Sequence, residues 1–490
     1  MSKVIKAAVV AAAIVFTAGA ITMGAGMIGS FSTLTIGGAL TATGMAVFTF
    51  TTTLLGGLIG GMGSKGIGAG SDNFGAKFAA RGGLQARQIV YGECRVGGTY
   101  VHMSTSGTDN NTFHGVIVLA GHEITSLEKV LINDVELTTT TSTINGETVH
   151  TVTNSAYTNT DNDNALANGR LMQFTFENGS QTTANGFAVA NSPLTSTDKG
   201  LGCAYVYMKI IFDAEAFGSG VPQFSFKIKG KPVFDPREAS HDASDPTTWA
   251  FSDNPALCLR DYIQDTQYGL KALSSEINDS TSAGGFAAAA NVCDQTVSLT
   301  GITLPSSYGS SEKRYTLNGF TNFSADGSSV IESMISSMAG KLSYTNGKFN
   351  IFAGATQTPS LTIEDDHLLS EVQVVTNPQS GELFNAVKPV HIDRDQNFQS
   401  IDGAVFEDST LLANDTPTGE SSANFKKQLE VQLPFTTSIP MAQRLAKIAL
   451  LSQRQTTTIS VLTSLKFMQL QPADYVYVTN ERLSFTQKNF

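Results

Sequence analysis

The sequence predicts a mainly β chain of several domains, with α+β modules and an apolar, helical segment at the N-terminus. Three observations carry this reading. Charged residues make up only 15% of the 490 residues, where about a quarter is usual. Ser, Thr, Asn and Gly fill the difference, and they favour strands and turns over charged helices. Only three stretches show the i, i+3, i+4 spacing of an amphipathic helix. At this length roughly three to four domains are expected, and nothing alternates as a doubly wound sheet requires.

The N-terminus stands apart. Between Lys6 and Lys65 no side chain is ionisable. A secretory signal fits Lys3, Lys6 and the apolar run from Ala7 to Phe16, but accounts for only about the first 20 residues. A pair of membrane helices fits the length, since each needs about 20 apolar residues, and the glycines at 24–29 and 56–61 would let two helices approach closely. A third reading is an apolar plug buried by assembly with further copies. The run Gly24-Ala25-Gly26-Met27-Ile28-Gly29 also spells a dinucleotide fingerprint. No strand leads into it and no acidic ribose ligand follows at about 20 residues, so a chance match in Gly-rich sequence is the better account. Residues 1–70 form this segment, and 71–83 a linker.

Ordinary globular sequence begins near residue 80. Gln88 to Val96 reads as one strand, with Gly97-Gly98 as its turn, and Gly115 to Ala120 as a strand buried on both faces. Residues 131–200 are rich in Thr, Asn and Gly and read as an inserted, partly irregular module, with a brief strand at Leu171 to Phe176. Strands return at 203–212 and 223–229. The first helix starts at Asn254-Pro255, a capping residue followed by proline at the first helical position, with Leu259, Tyr262 and Ile263 inward. The second carries Ile331, Met334, Ile335 and Met338 on one face. Core packing explains the two methionines better than an adaptable binding surface. Asn346-Gly347 marks a hairpin over 342–352. Further strands are read at 372–376 and 456–462. The third helix starts near Ser438 and Pro440, with Met441, Leu445, Ile448 and Ala449 on one side.

The search for chemistry is empty. Cys94, Cys203, Cys258 and Cys293 lack zinc spacing and read as buried free thiols. His122-Glu123 lacks the second histidine of a zinc helix, and no nucleophile elbow or phosphate loop occurs. Glu364-Asp365-Asp366 and Asp393 with Asp395 are the densest carboxylates, read as solvated turns and not as an acid/base pair or divalent-ion site. Asp161-Asn162-Asp163-Asn164 starts like a calcium loop, but Ala165 and Leu166 stand where an oxygen ligand and glycine are needed. No catalytic, cofactor or metal residue is assigned. The excess of 42 acidic over 31 basic residues, net −11, argues against sequence-reading of nucleic acid, which needs clustered Lys and Arg.

Several phrases of the chain, in order, resemble the central tail tip protein J family of lambda-like siphophages. They are Arg87 to Gly98, Gly202 to Phe212, Gly220-Val221-Pro222, Gly230 to Arg237, Asn254 to Tyr262, Tyr268-Gly269-Leu270, Arg314 to Gly319, Gly340 to Gly354, Leu383 to Val387 and Ala442 to Ala446. The resemblance spans roughly residues 84 to 490. It implies gp27-like hub domains of the β-barrel type, assembled as a homotrimer around a channel at the distal end of a virion tail. It implies contacts with the distal tail protein, the tape measure protein and tail fibres, and no cofactor or catalytic residue. On this basis 84–130 with 201–240 form a first hub barrel, 131–200 the inserted module, 241–345 a helix-containing hub domain, and 346–490 a second barrel with one helix. Family members continue into fibronectin-like and fibre regions, whereas this sequence ends at Phe490 just after Thr479 to Phe485, where a further strand is expected; the resemblance therefore implies a truncated C-terminus or a separate fibre protein. The competing readings are a membrane-anchored surface adhesin with a transmembrane hairpin, and a cell-wall-degrading enzyme carried on a tail. Residues 7–64 are the segment expected to plug the channel or meet the host membrane.

Overall fold

The computed structural model describes residues 14–17, 80–81, 86–217, 220–359, 361–375, 383–455 and 457–490. The first core lies between two sheets. One is seven-stranded, in the order Ala80–Arg81, Thr99–Ser106, Thr112–Ala120, Ala204–Ile211, Met172–Glu177, Glu147–Val152 and Thr139–Ile144. The other holds Glu93–Val96, Phe224–Lys229, Ser126–Ile132 and Val135–Glu136. Alternation drives this packing. Phe224, Phe226 and Ile228 are fully buried among Val96, Ile117, Leu119 and Val206, each worth about 1.5–3 kcal/mol against exposure.

The single strand expected over 88–96 is two strands, and this corrects the sequence reading. Gln88–Tyr91 pairs with Gly319–Asn322, whereas Glu93–Val96 pairs with Phe224–Lys229. The break is Gly92, at φ 64°, where a side chain would collide with the Leu317 carbonyl oxygen. One sequence run thus serves two sheets.

Residues 131–200 add three strands to the seven-stranded sheet, and their hairpin turns at Asn145-Gly146, with φ 52° and 86°. The short helix Gly186–Asn191 is capped by the Asn185 side chain, which accepts from the Ala188 amide at 2.9 Å. It lays Phe187 and Ala188 over Val116, Val149, Tyr205 and Tyr207 on the outer face of that sheet.

The second core is helical at its centre. Pro255–Gln264, Phe286–Cys293, Gly327–Ser336 and Ile439–Gln453 contribute to one cluster. Leu259, Tyr262, Ile263, Ile331, Met334, Ile335 and Met338 are all buried in it, as the periodicity predicts. The Ala-rich helix Phe286–Cys293 starts at Gly285 without a polar cap, so its start carries no local signal. The hairpin Lys341–Thr345 with Lys348–Phe352 turns at Asn346-Gly347, φ 52° and 76°. Ala386–Asp393 runs parallel to Gln428–Leu433 and antiparallel to Gln399–Asp402, and Val387, Leu429, Val431 and Leu433 join the same helical cluster.

A third, small core gathers Ile363, Ile459, Val461, Phe467, Val476, Val478 and Phe490. Residues 346–490 are therefore divided between two cores. Within the segment expected to be helical, Ile14–Thr17 is a strand paired with Thr458–Val461; the rest of 7–64 lies outside the described residues. No helix among the described residues is long and apolar enough to cross a membrane.

Candidate functional site: buried charges at the junction of the cores

The two large cores meet where the strand ending at Lys229 enters the helical unit. Lys231, 16% exposed at its side chain, reaches Asp261 at 2.7 Å and Asp265 at 2.8 Å, on and just beyond helix Pro255–Gln264. The Tyr91 hydroxyl donates to the same Asp261 oxygen at 2.5 Å, and the Lys231 ammonium stands 5.1 Å over the Tyr268 ring. Burial alone would lower the Lys231 pKa, but the facing Asp261 carboxylate and its neighbours outweigh that and raise it. Burial likewise opposes the Asp265 charge, and Lys231 reverses the balance, holding this carboxyl below its ordinary range.

His122 closes the strand side. Its Nε2 accepts from the Val90 amide at 2.9 Å, and its Nδ1 lies 2.7 Å from the Glu123 carbonyl oxygen. These contacts suit a neutral ring protonated at Nδ1. Burial pushes its pKa down from the ordinary 6.5 to about 4. The histidine paired in sequence with Glu123 is therefore a bonded core group.

Two further knots tie the same segments together. Arg237 donates to both Asp235 oxygens and to Asp294 at 2.9 Å, while Asn254 donates to Asp294 at 2.9 Å. Asn318 accepts from the Glu93 amide at 2.8 Å and donates to Thr437 at 3.2 Å, and its amide donates to the Phe435 carbonyl at 2.9 Å. One asparagine thus joins three distant segments. No local signal distinguishes it, because its partners are remote in sequence. Arg95, 4% exposed, bonds Ser225, Asp134 and the Asn397 carbonyl, carrying the first core to the turn after Ala386–Asp393.

The carboxylates flagged by sequence do not converge. Asp393 is buried, which corrects the expected solvated turn, and accepts from the Asp395 amide at 2.8 Å, whereas Asp395 accepts from Ser307 at 2.6 Å. Both fasten a turn. Asp365 accepts from the Asn480 side chain and the Glu481 amide. Glu364, Asp366 and His367 could bring one ligand atom each within 4.8 Å. However, the His367 Nε2 already faces the Lys466 ammonium at 3.1 Å, and Nδ1 accepts from the Glu364 amide at 3.2 Å. A cation there meets an occupied ring and a positive neighbour, so the residues fit a metal poorly. Asn162 of the calcium-like run, and Asn159 just before it, donate to Asp213. All four cysteines are free and buried, as expected.

The family model described as "Putative phage tail protein" matches residues 326–488, which hold the third core apart from Phe490 and much of the second. A chain from the virion of a native gene transfer agent particle is similar over 88% of this chain and 85% of its own, at 14% identity and a TM-score of 0.50. The comparisons support a structural phage tail protein. A 43 kDa tail protein of prophage MuSo2 from Shewanella oneidensis aligns over 83% of this chain and 92% of its own, at 10% identity and a TM-score of 0.27. Prophage tail protein gp18 from Listeria monocytogenes EGD-e aligns over 85% and 82%, at 10% identity and a TM-score of 0.23. No curated protein matches the chain in sequence. The bonded charges act as fasteners: each carboxylate described at the junction is engaged by an ammonium, a guanidinium or an amide.

Proposed function

We propose that this chain is the hub of a siphophage-type tail, placed at its distal end as a homotrimer that closes the tube. It would contact the distal tail protein and the tape measure protein, carry host-recognition fibres, and open for DNA passage. The observation that carries this reading is the fold likeness to a virion chain over 88% of the sequence, joined to the tail-protein family match at 326–488. The ordered blocks between 84 and 490 that resemble the tail tip family support the distal position. A non-enzymatic role accords with the junctions, whose ionisable groups bind one another. The expected channel wall is net negative, in keeping with 42 acidic against 31 basic residues, so that DNA is not held by phosphate contacts. Residues 7–64 are proposed as the removable plug or membrane-active segment. Imaging of purified particles tests the assignment: a threefold density at the tail end, labelled by antibody to this chain, is the expected result. Label along the tail shaft, or a six-fold ring, overturns the hub reading.

A further inference from the structure

Among the described residues, the seven-stranded sheet ends in two open edges. Thr139–Ile144 pairs on one side only, with Glu147–Val152. At the opposite end, Ala80–Arg81 reaches no further than Tyr100, so among the described residues 102–106 pair only with Thr112–Ala120. Exposed edges are commonly guarded by lysine, proline or inward charges. Neither 102–106 nor Thr139–Ile144 carries Lys, Arg, Asp, Glu or Pro, although the two-residue strand before the first ends in Arg81. Met103 is 47% exposed beside these open backbone groups, and an irregularity at Val101 ends just before them.

Direction and charge name the occupant. Setting Ala80–Arg81 aside, the strands from Thr99–Ser106 across to Thr139–Ile144 are antiparallel throughout, in the order of the seven-stranded sheet. Their number is even, so the two end strands run in opposite directions. A copy of the chain rotated about an axis along the strands would present 102–106 antiparallel to 139–144, continuing the ladder unbroken. Copies with a net charge of −11 repel one another least where both contact surfaces are uncharged. We propose that 102–106 of one copy pair with Thr139–Ile144 of the next. The contact is head-to-tail, and such contacts close into rings or run into fibres. This rests on the trimeric reading above and supplies its joint.

Cross-linking in assembled particles tests it. Met103→Cys and Thr141→Cys are introduced singly and together, with Thr105→Cys and Thr139→Cys as the neighbouring pair that the antiparallel register sets. A short bismaleimide is then applied, and the buried native cysteines keep the background low. The double variants are expected to give a covalently closed trimer, and each single variant none. Linked dimers from a single variant would mean like edges meeting, and would overturn the proposal. A trimer by mass with no cross-link in any double variant overturns the edge joint alone, whereas a monomer overturns both the joint and the trimer. Met103→Lys should weaken assembly with an unchanged circular dichroism spectrum; unimpaired assembly counts against the joint.

Discussion

Replacing Lys231 by methionine isolates the energetics of the junction between the two large cores. Methionine keeps the stem and removes the ammonium, leaving Asp261 and Asp265 facing one another, 7% and 13% exposed at their side chains. Removing one partner of a buried ion pair costs ~3–5 kcal/mol. Protonation of one aspartate relieves part of this, so the lower end, about 3 kcal/mol, is expected at neutral pH. The pH dependence follows from the shifts. The Asp265 pKa is depressed in the folded wild type, so its contribution is present above the ordinary carboxylate pKa and is lost as pH falls through the depressed value. The raised Lys231 pKa contributes below the ordinary lysine value and is lost only above it, in strong alkali. The gap between wild type and variant must therefore narrow on acidification. Urea unfolding followed by the fluorescence of Trp249, the one tryptophan, reads this locally, because its ring lies 6.1 Å from Phe234 near the junction. A loss below about 1 kcal/mol at neutral pH, or a gap that widens in acid, would refute the reasoning. Neutralising Asp261 and Asp265 as well should recover much of the stability.

Gly269→Ala places a methyl against the Tyr262 carbonyl oxygen and should cost roughly 1–3 kcal/mol, measured as a lower urea midpoint with Tyr268 displaced from Lys231. Met334→Ala opens a cavity in the helical core and should cost about 2–5 kcal/mol; a change within experimental error would revive the adaptable-surface reading of the methionines. His122 has a folded pKa below its unfolded one, so its contribution is complete above pH 6.5 and fades as pH falls toward 4. His122→Gln should flatten that part of the stability profile, and an unchanged slope would assign it elsewhere. Millimolar calcium or zinc should leave melting unchanged, since His367 is engaged by Lys466 and the Glu364 amide; a metal-dependent rise abolished by His367→Gln would reverse that conclusion.

Local signals in the sequence determined a good deal. Asn254-Pro255 and Ser438 before Pro440 set two helix starts, and the stripe from Ile331 to Met338 set a buried face, because caps and periodicity act within one or two turns. Asn346-Gly347 set a hairpin through its own backbone preference. Asn145-Gly146 carries the same signal and could have been read the same way; the exposed, Thr-rich strands beside it concealed the pattern. The blocks that resemble the tail tip family were also legible in order along the chain, and the match of residues 326–488 to a model described as a putative phage tail protein accords with the coarser part of that reading.

What only the tertiary structure decided are the features whose partners lie far apart in sequence. The division of 88–96 at Gly92 depends on the Leu317 carbonyl beneath it. The sharing of one core by Val387, Leu433 and the helices depends on how sheet and helices stack. Asn318, Lys231 and Arg95 look like ordinary polar residues until Thr437, Asp261 and Asn397 are brought beside them. Chain propensity acts over a few residues, but a buried charge or a split strand is fixed by groups 30 to 302 positions away, and no local pattern records them.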